Sequence, residues 1–473
     1  MLLFLILHIY FVSFLDKPEK NIPVLSPRAV EQRAKWNIPT DERDYPVSPL
    51  YQSELIQLGV KIHHTSRWFN GVTCEMNETQ AAQVAQLSFV MEVEMTRQDG
   101  SQLSVISRQK RMNELTNERV NEPELYTDGQ LKLYNLLPLH DAGYKGQGIL
   151  MTVCDGGFQN ANTMSCFRPA QELGHFDFTD DDDDFYGSTG AHGTECLSTI
   201  SGIVENEYYG SAPEANYYLM RSEEYATESP KEMDNLVAAL EKADSLGVNV
   251  FSVSLGYGWF DNSEWDLDNK KDLDGKTTRV SQAATIAARK GMLVCVAAGN
   301  EGTANWRTIG VPADADSVLT VGAVDRDGVI GNFSSYGPSS DGRIKPEVCA
   351  VGVNTALMSP YGFAIYSNGT SFATPLIAGL AASLWSALPN ETAMQIRERI
   401  IRSSDRYRHP DIRQYHYGYG IPDAWQAYTM PDPMEGIENL QPSEVSYKKV
   451  LRGDQILIVR YGHVYNLAGQ RVE

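Results

Sequence analysis

Basic residues are the scarce class in this chain: 40 Lys and Arg stand against 61 Asp and Glu, giving a formal charge of −21. That deficit excludes nucleic acid as a partner, because its binders present basic surfaces. Cysteine is also sparse, six in 473 residues, with no two at the short spacings that metal sites use. Cys154 and Cys295 belong to apolar runs and Cys196 to a stretch of small residues. They read as buried free thiols, with one disulfide involving Cys166 as the alternative. Beyond the first residues, no apolar run is long enough to cross a membrane. The start, Met1 to Leu15, is apolar but short, which reads as a signal peptide over residues 1–16 despite a missing basic n-region.

Small residues carry the chemistry. Asn368-Gly369-Thr370-Ser371-Phe372-Ala373-Thr374-Pro375 opens an apolar run reaching Trp385. This puts a serine at the positive end of a helix, beside any oxygen on which negative charge develops. Pro375 removes the amide that would bond back to the Ser371 carbonyl. Ile149 to Cys154 is an unbroken apolar run, as a buried parallel strand requires, and it ends on Asp155-Gly156-Gly157. Acids at the carboxyl ends of such strands lie where α/β sheets place their sites. In Gly190-Ala191-His192-Gly193-Thr194-Glu195, a histidine opens a small-residue helix. Acid, base and nucleophile thus follow in the order Asp, His, Ser.

That order, with these flanking residues, resembles the subtilisin-like serine peptidases (subtilases) from about Gly146 to Trp385. Three further motifs match. Ala297-Ala298-Gly299-Asn300 resembles the oxyanion-hole segment, Ser254-Leu255-Gly256 the strand that pairs with substrate, and Gly310-Val311-Pro312-Ala313 the pocket-floor turn, where a cis proline is usual. Two positions depart: Gly156 replaces the usual Ser or Thr, and Ser252 an Asn. The resemblance implies a three-layer α/β/α domain with a mostly parallel sheet. It also implies Asp155, His192 and Ser371 as triad and Asn300 as oxyanion donor. Ser254, Leu255, Gly256, Ala298, Gly299 and Gly310 would be substrate-binding positions. Peptide bonds of a protein or peptide substrate would be cut through an acyl-enzyme, with no cofactor in the chemistry. Tyr257, Trp259 and Phe260 either line the cleft or form a packed loop.

Around this domain the chain divides. Residues 17–96 alternate helix and strand signals: Ser26-Pro27 and Asn77 start helices, Pro49 to Leu58 is amphipathic, and strands fall at Val60–His63, Trp68–Cys74 and Phe89–Glu94. This resembles the small α+β prodomain that inhibits many subtilases, with a permanent accessory domain as the alternative. Residues 97–125 read as an exposed linker holding the processing site, and 126–430 as the catalytic domain. There Glu232–Leu246 and Thr278–Lys290 read as helices, each followed by a strand, which implies a parallel sheet covered on both faces. The acidic runs Asp180–Asp184 and Asp266, Asp268, Asp272, Asp274 read as structural calcium sites or as solvated charge runs. Residues 437–473 suggest a short β-hairpin module. The Tyr465-Asn466-x-x-Gly469-x-x-Val472 ending resembles the sorting tails of Bacteroidetes proteins exported across the outer membrane, which would make the secretion machinery a partner and the location extracellular or cell-surface. The competing function class is a catalytically silent binding protein on the same fold. A serine esterase of the α/β-hydrolase type is excluded by the triad order.

Overall fold

The computed structural model describes residues 7–19, 22–98, 125–168, 170–179, 184–187, 190–224, 227–408, 414–432, 448–452, 455–460 and 463–465. The linker with its expected processing site, apart from its ends, and Asp180–Asp183 lie outside them. Two compact units appear, Met1–Thr429 and Met430–Glu473.

The first unit opens with β1 (His8–Phe14), α1 (Pro27–Lys35), α2 (Pro49–Gln57), β2 (Lys61–Ser66), β3 (Gly71–Met76), α3 (Glu78–Val84) and β4 (Val90–Gln98). The strands form an antiparallel sheet in the order β2-β3-β1-β4. Caps start the helices where the sequence predicts: Ser26 Oγ accepts from the Ala29 N–H at 3.1 Å, and Asn77 forms a capping box with Gln80.

β1 overturns the signal-peptide reading. His8–Phe14 is an inner strand, paired to β3 on one side and β4 on the other. Its residues are all buried. Tyr10, Val12 and Phe14 pack in the core of this subdomain. Phe11, on the opposite face, lies under the Arg279 guanidinium of the catalytic domain at 4.0 Å. Burial on both faces gives the same uninterrupted apolar run as an export leader, so the run alone does not distinguish the two. The subdomain therefore begins at β1 and not at residue 17.

Two short helices, α4 (Asp128–Leu133) and α5 (Leu137–Asp141), lead into the catalytic domain: β5 (Leu150–Asp155), β6 (Glu172–Asp177), α6 (His192–Ser201), the pair β7 (Ile203–Val204) and β8 (Tyr208–Tyr209), β9 (Asn216–Arg221), α7 (Pro230–Leu246), β10 (Val250–Val253), α8 (Arg279–Arg289), β11 (Leu293–Ala297), β12 (Leu319–Val324), β13 (Val348–Val351), the hairpin β14 (Thr355–Met358) and β15 (Ala364–Ser367), then α9 (Thr370–Ala387), α10 (Ala393–Ser403), α11 (Gln414–Tyr417) and α12 (Ala424–Thr429). Seven strands pair in parallel in the order β13-β12-β11-β10-β5-β9-β6. One apolar core lies between the sheet and α6 and α9, the other between the sheet and α7 and α8. This is the expected three-layer α/β/α arrangement. All six cysteines are buried and free, so Cys166 forms no disulfide.

The propeptide-like sheet lies on α7 and α8. Arg279 of α8 pairs with Glu94 at 2.6 Å, and Glu241 of α7 accepts from the Ser66 hydroxyl at 2.6 Å and the Arg67 N–H at 2.8 Å. The second unit carries a three-stranded antiparallel sheet, β16 (Lys448–Arg452), β17 (Gln455–Arg460) and β18 (His463–Tyr465), one strand more than the expected hairpin. The sorting-like ending after Tyr465 lies outside the described residues.

Phe14 is 2% exposed. Phe14→Ala is expected to cost about 3–5 kcal/mol, read by chemical denaturation of the full chain; a dispensable leader would show no change.

Candidate active site

Three strands end level with one another and deliver the site. Asp155 is the last residue of β5, Ser254 follows β10, and Asn300 lies three residues past β11. Asp155 is 1% exposed, and one carboxylate oxygen accepts from the Gly156 N–H at 2.8 Å. The hydroxyl missing at Gly156 is thus no obstacle, because a backbone donor holds the acid. His192, the first residue of α6, brings Nδ1 to 2.8 and 3.0 Å from the two Asp155 oxygens. That approach depends on Gly193: a Cβ there would meet the Gly157 carbonyl at 2.5 Å and the Asp155 side chain at 2.9 Å. Phe372 lies beside the imidazole, with ring centroids 5.4 Å apart.

Ser371 is the second residue of α9. Pro375 denies its carbonyl the helical hydrogen bond, and two side chains from elsewhere supply it instead. Ser254 Oγ donates to the Ser371 oxygen at 2.7 Å and Cys196 Sγ at 3.3 Å. In return Ser371 Oγ donates to the Ser254 carbonyl at 3.3 Å. Among the described residues, Ser371 Oγ and His192 form no hydrogen bond, so the direct contact expected from the motifs is not made here.

Asn300 is oriented by Thr370. Its Oδ1 accepts from the Thr370 N–H at 2.9 Å and from Thr370 Oγ1 at 3.0 Å. Thr370 Oγ1 accepts in turn from the Gly299 N–H at 3.2 Å. With the oxygen fixed, the Nδ2 donors are left without a partner among the described residues. Gly299 has φ 106°, a conformation glycine adopts without strain.

The expected substrate positions divide. Gly256 is exposed, and its N–H and C=O have no partner among the described residues. The Tyr257 N–H and C=O pair with Val311, both at 2.9 Å, which sets Gly256 beside Gly310. A Cβ on Gly310 would meet the Tyr257 carbonyl at 2.8 Å. The Val311–Pro312 peptide is cis, as the motif suggested. The Ala298 side chain is fully buried in the α7–α8 core and its N–H is bonded to the Val321 carbonyl, so its side chain supports Gly299 and Asn300 from beneath. The Leu255 side chain is likewise buried. Tyr257 and Phe260 are buried too and Trp259 packs edge-on to Trp306, which makes this a packed loop.

The second acidic loop is spent on local contacts. Asp266, Asp272 and Asp274 accept from backbone amides of the loop, and Asp268 also pairs with Lys271 at 3.0 Å. Among the described residues, one group of metal-type side chains converges: Asp155, His192 and Cys196. It is the hydrogen-bonded Asp155–His192 pair with a neighbouring thiol, which burial pushes up to about 11 and so keeps protonated. Cys196 and Thr370 are the functional neighbours that sequence reasoning missed. Pro375 signalled the first, since it announces an unpaired carbonyl; nothing signalled the second.

Burial opposes the charged form of His192, but the Asp155 carboxylate outweighs it and holds the imidazole well above its ordinary 6.5. A raised folded value means that the pair stabilises the fold below about pH 6.5 and that this contribution is lost as pH rises through the His192 midpoint. Asp155→Asn is expected to move that midpoint down, read by NMR titration of the His192 ring; an unmoved midpoint would show that Asp155 is not the cause.

The model of the Subtilase family matches residues 146–420, and that of the Peptidase S8 propeptide domain, Bacteroidota, matches residues 9–114. Subtilisin E of Bacillus subtilis (strain 168) is 30% identical over 293 residues, covering 60% of this chain and 66% of that protein. Serine protease AprX of the same organism is 28% identical over 304 residues, 58% of this chain and 65% of AprX. The chain thus spans just under two thirds of the length of these relatives. A crystal structure of MycP1 from Mycobacterium smegmatis shares the fold, with a TM-score of 0.53 at 23% identity over 67% of this chain and 89% of that one. The propeptide match starts inside β1, in keeping with the strand's place in that subdomain. With more than half of its length matched, the chain belongs to the subtilase family of peptidases, in the form that carries a Bacteroidota-type propeptide.

Proposed function

We propose that the chain is a secreted serine endopeptidase made as a zymogen, with Asp155, His192 and Ser371 as its triad. The observation that carries this reading is the hydrogen-bonded Asp155–His192 pair beside a serine at a helix start, with the Asn300 amide locked so that Nδ2 is free. In the reaction, Ser371 Oγ turns from the Ser254 carbonyl toward His192 Nε2, gives up its proton there and attacks the scissile carbonyl. Asp155 stabilises the imidazolium. Asn300 Nδ2 and the Ser371 N–H receive the oxyanion, and His192 returns the proton to the leaving amine. An extended substrate would take the open N–H and C=O of Gly256 by strand pairing. No cofactor enters these steps, and calcium, if bound, has a structural part.

Zymogen processing is supported by the propeptide match and by the long segment between β4 and α4, in which the cut would fall. Export rests on the acidic composition and the sorting-like ending. Among the described residues no helix is long and apolar enough to cross a membrane.

The wild type is expected to shed residues up to the linker and to react with a fluorophosphonate at Ser371, while Ser371→Ala stays full length and unlabelled by intact mass. An unprocessed, unlabelled wild type would turn the reading toward a silent binding protein. Asn300→Ala is expected to lower turnover about 10²–10³-fold with little change in KM, read from steady-state kinetics on a peptide substrate.

A further inference from the structure

The sheet order β10-β5-β9 puts β5 between two neighbours. Asp155, which ends β5, pairs with Arg221, the last residue of β9. Beyond that level β5 turns aside, and the Gly157 carbonyl accepts from the Gly193 N–H of α6 at 2.9 Å. The chains on either side carry on, as residues 254–256 after β10 and as residues 222–224 after β9, where the Ser222 N–H bonds to the Asp155 carbonyl at 3.1 Å. Two strand spacings, about 10 Å, separate β10 from β9. A peptide laid along the open edge of Gly256 therefore has the segment that carries Glu223 on its other side.

Glu223 is buried, 7% exposed, yet among the described residues no Lys or Arg pairs with it. Basic side chains from the flanking elements are committed elsewhere: Arg221 to Asp177 at 3.0 Å and Lys231 to Glu224. Glu223 accepts from the Tyr257 phenol at 3.5 Å, and that phenol has a single proton, which also points to the Glu232 carbonyl at 3.4 Å. The Glu232 carboxylate differs, since the Glu224 and Ser229 N–H groups hold its two oxygens at 2.8 and 3.0 Å. Burial pushes the Glu223 carboxyl well above its ordinary value; Glu228 and Asp155 push the same way, while His192 and the Tyr257 phenol oppose them. A desolvated acid in negative surroundings gains most from a cation that arrives with the substrate, because the pair forms away from water.

We propose that Glu223 is a specificity-determining residue that binds an arginine or lysine side chain of the substrate on the amino side of the scissile bond. The inference rests on the peptidase reading above and names a substrate class for it. Successive side chains of an extended peptide face opposite ways. With the residue at the cut turned toward Gly310, the second and fourth residues counted back from the cut face Glu223. Arginine is the better fit of the two cations, because its planar fork matches both carboxylate oxygens.

The test uses the processed enzyme and peptides that carry arginine or citrulline, its uncharged counterpart, at each of the four positions before a fixed cut. The cut is located by mass. Comparing kcat/KM within each pair removes any dependence on the fraction of active enzyme. The wild type is expected to favour arginine about tenfold or more at the second or fourth position. Glu223→Gln keeps an acceptor for the Tyr257 phenol and removes the charge, so it should bring that ratio close to one. Should Glu223→Gln fail to fold, Glu223→Leu decides, because it buries no polar group and should likewise abolish the preference. A chain that cuts the peptides without favouring arginine, or a Glu223→Gln enzyme that still favours it, overturns this inference alone. A chain that cuts none of the peptides and ignores a fluorophosphonate overturns the proposed activity, and this inference with it.

Discussion

The constraint on which the site depends is the parallel register of β5, β10 and β11. Met151 and Leu293 both pair with Val250, and Cys154 and Val296 both pair with Val253, so the three strands finish at the same height. Asp155, Ser254 and Asn300 then emerge side by side without any long excursion of the chain. Parallel pairing imposes this, because every carboxyl end faces the same way and the crossover helices are confined to the two faces. α6 and α9, packed together on one face, have only to start at that edge to bring in the histidine and the serine.

Within that frame, the helix bearing Ser371 is tied down at the point where its own ladder fails. A proline one turn in would ordinarily leave a buried carbonyl unsatisfied, a loss of about 1–3 kcal/mol. Here the gap is filled by Ser254 and Cys196, which come from a strand end and from the helix of His192. The break therefore couples the start of α9, the helix of His192 and the end of β10 through one oxygen atom.

Much of this was legible in the sequence, for identifiable reasons. Buried parallel strands show as short apolar runs, and the motif residues stand where those runs stop, so Asp155, His192, Asn300 and Ser371 could be placed in order. Failures occurred where a local pattern has two physical causes. The apolar run at His8–Phe14 fits a leader as well as a strand covered on both faces, and only the long-range pairing to β3 and β4 decides. Ala298, which the resemblance sets among the substrate positions, turns its side chain into the core. Cys196 and Thr370 act through contacts with segments about 70 to 175 positions away, a kind of partnership that no periodicity encodes.

The two-sided burial of β1 has a consequence for the propeptide alone. Phe11 is 5% exposed, with the Arg279 guanidinium of α8 over its ring at 4.0 Å, and Ile9 is 3% exposed. Once detached, the propeptide would turn the Phe11 ring to water, with Glu94 losing Arg279 and Arg67 losing Glu241 and Asp244. Its solitary form would be less ordered than its docked form and more open to proteolysis.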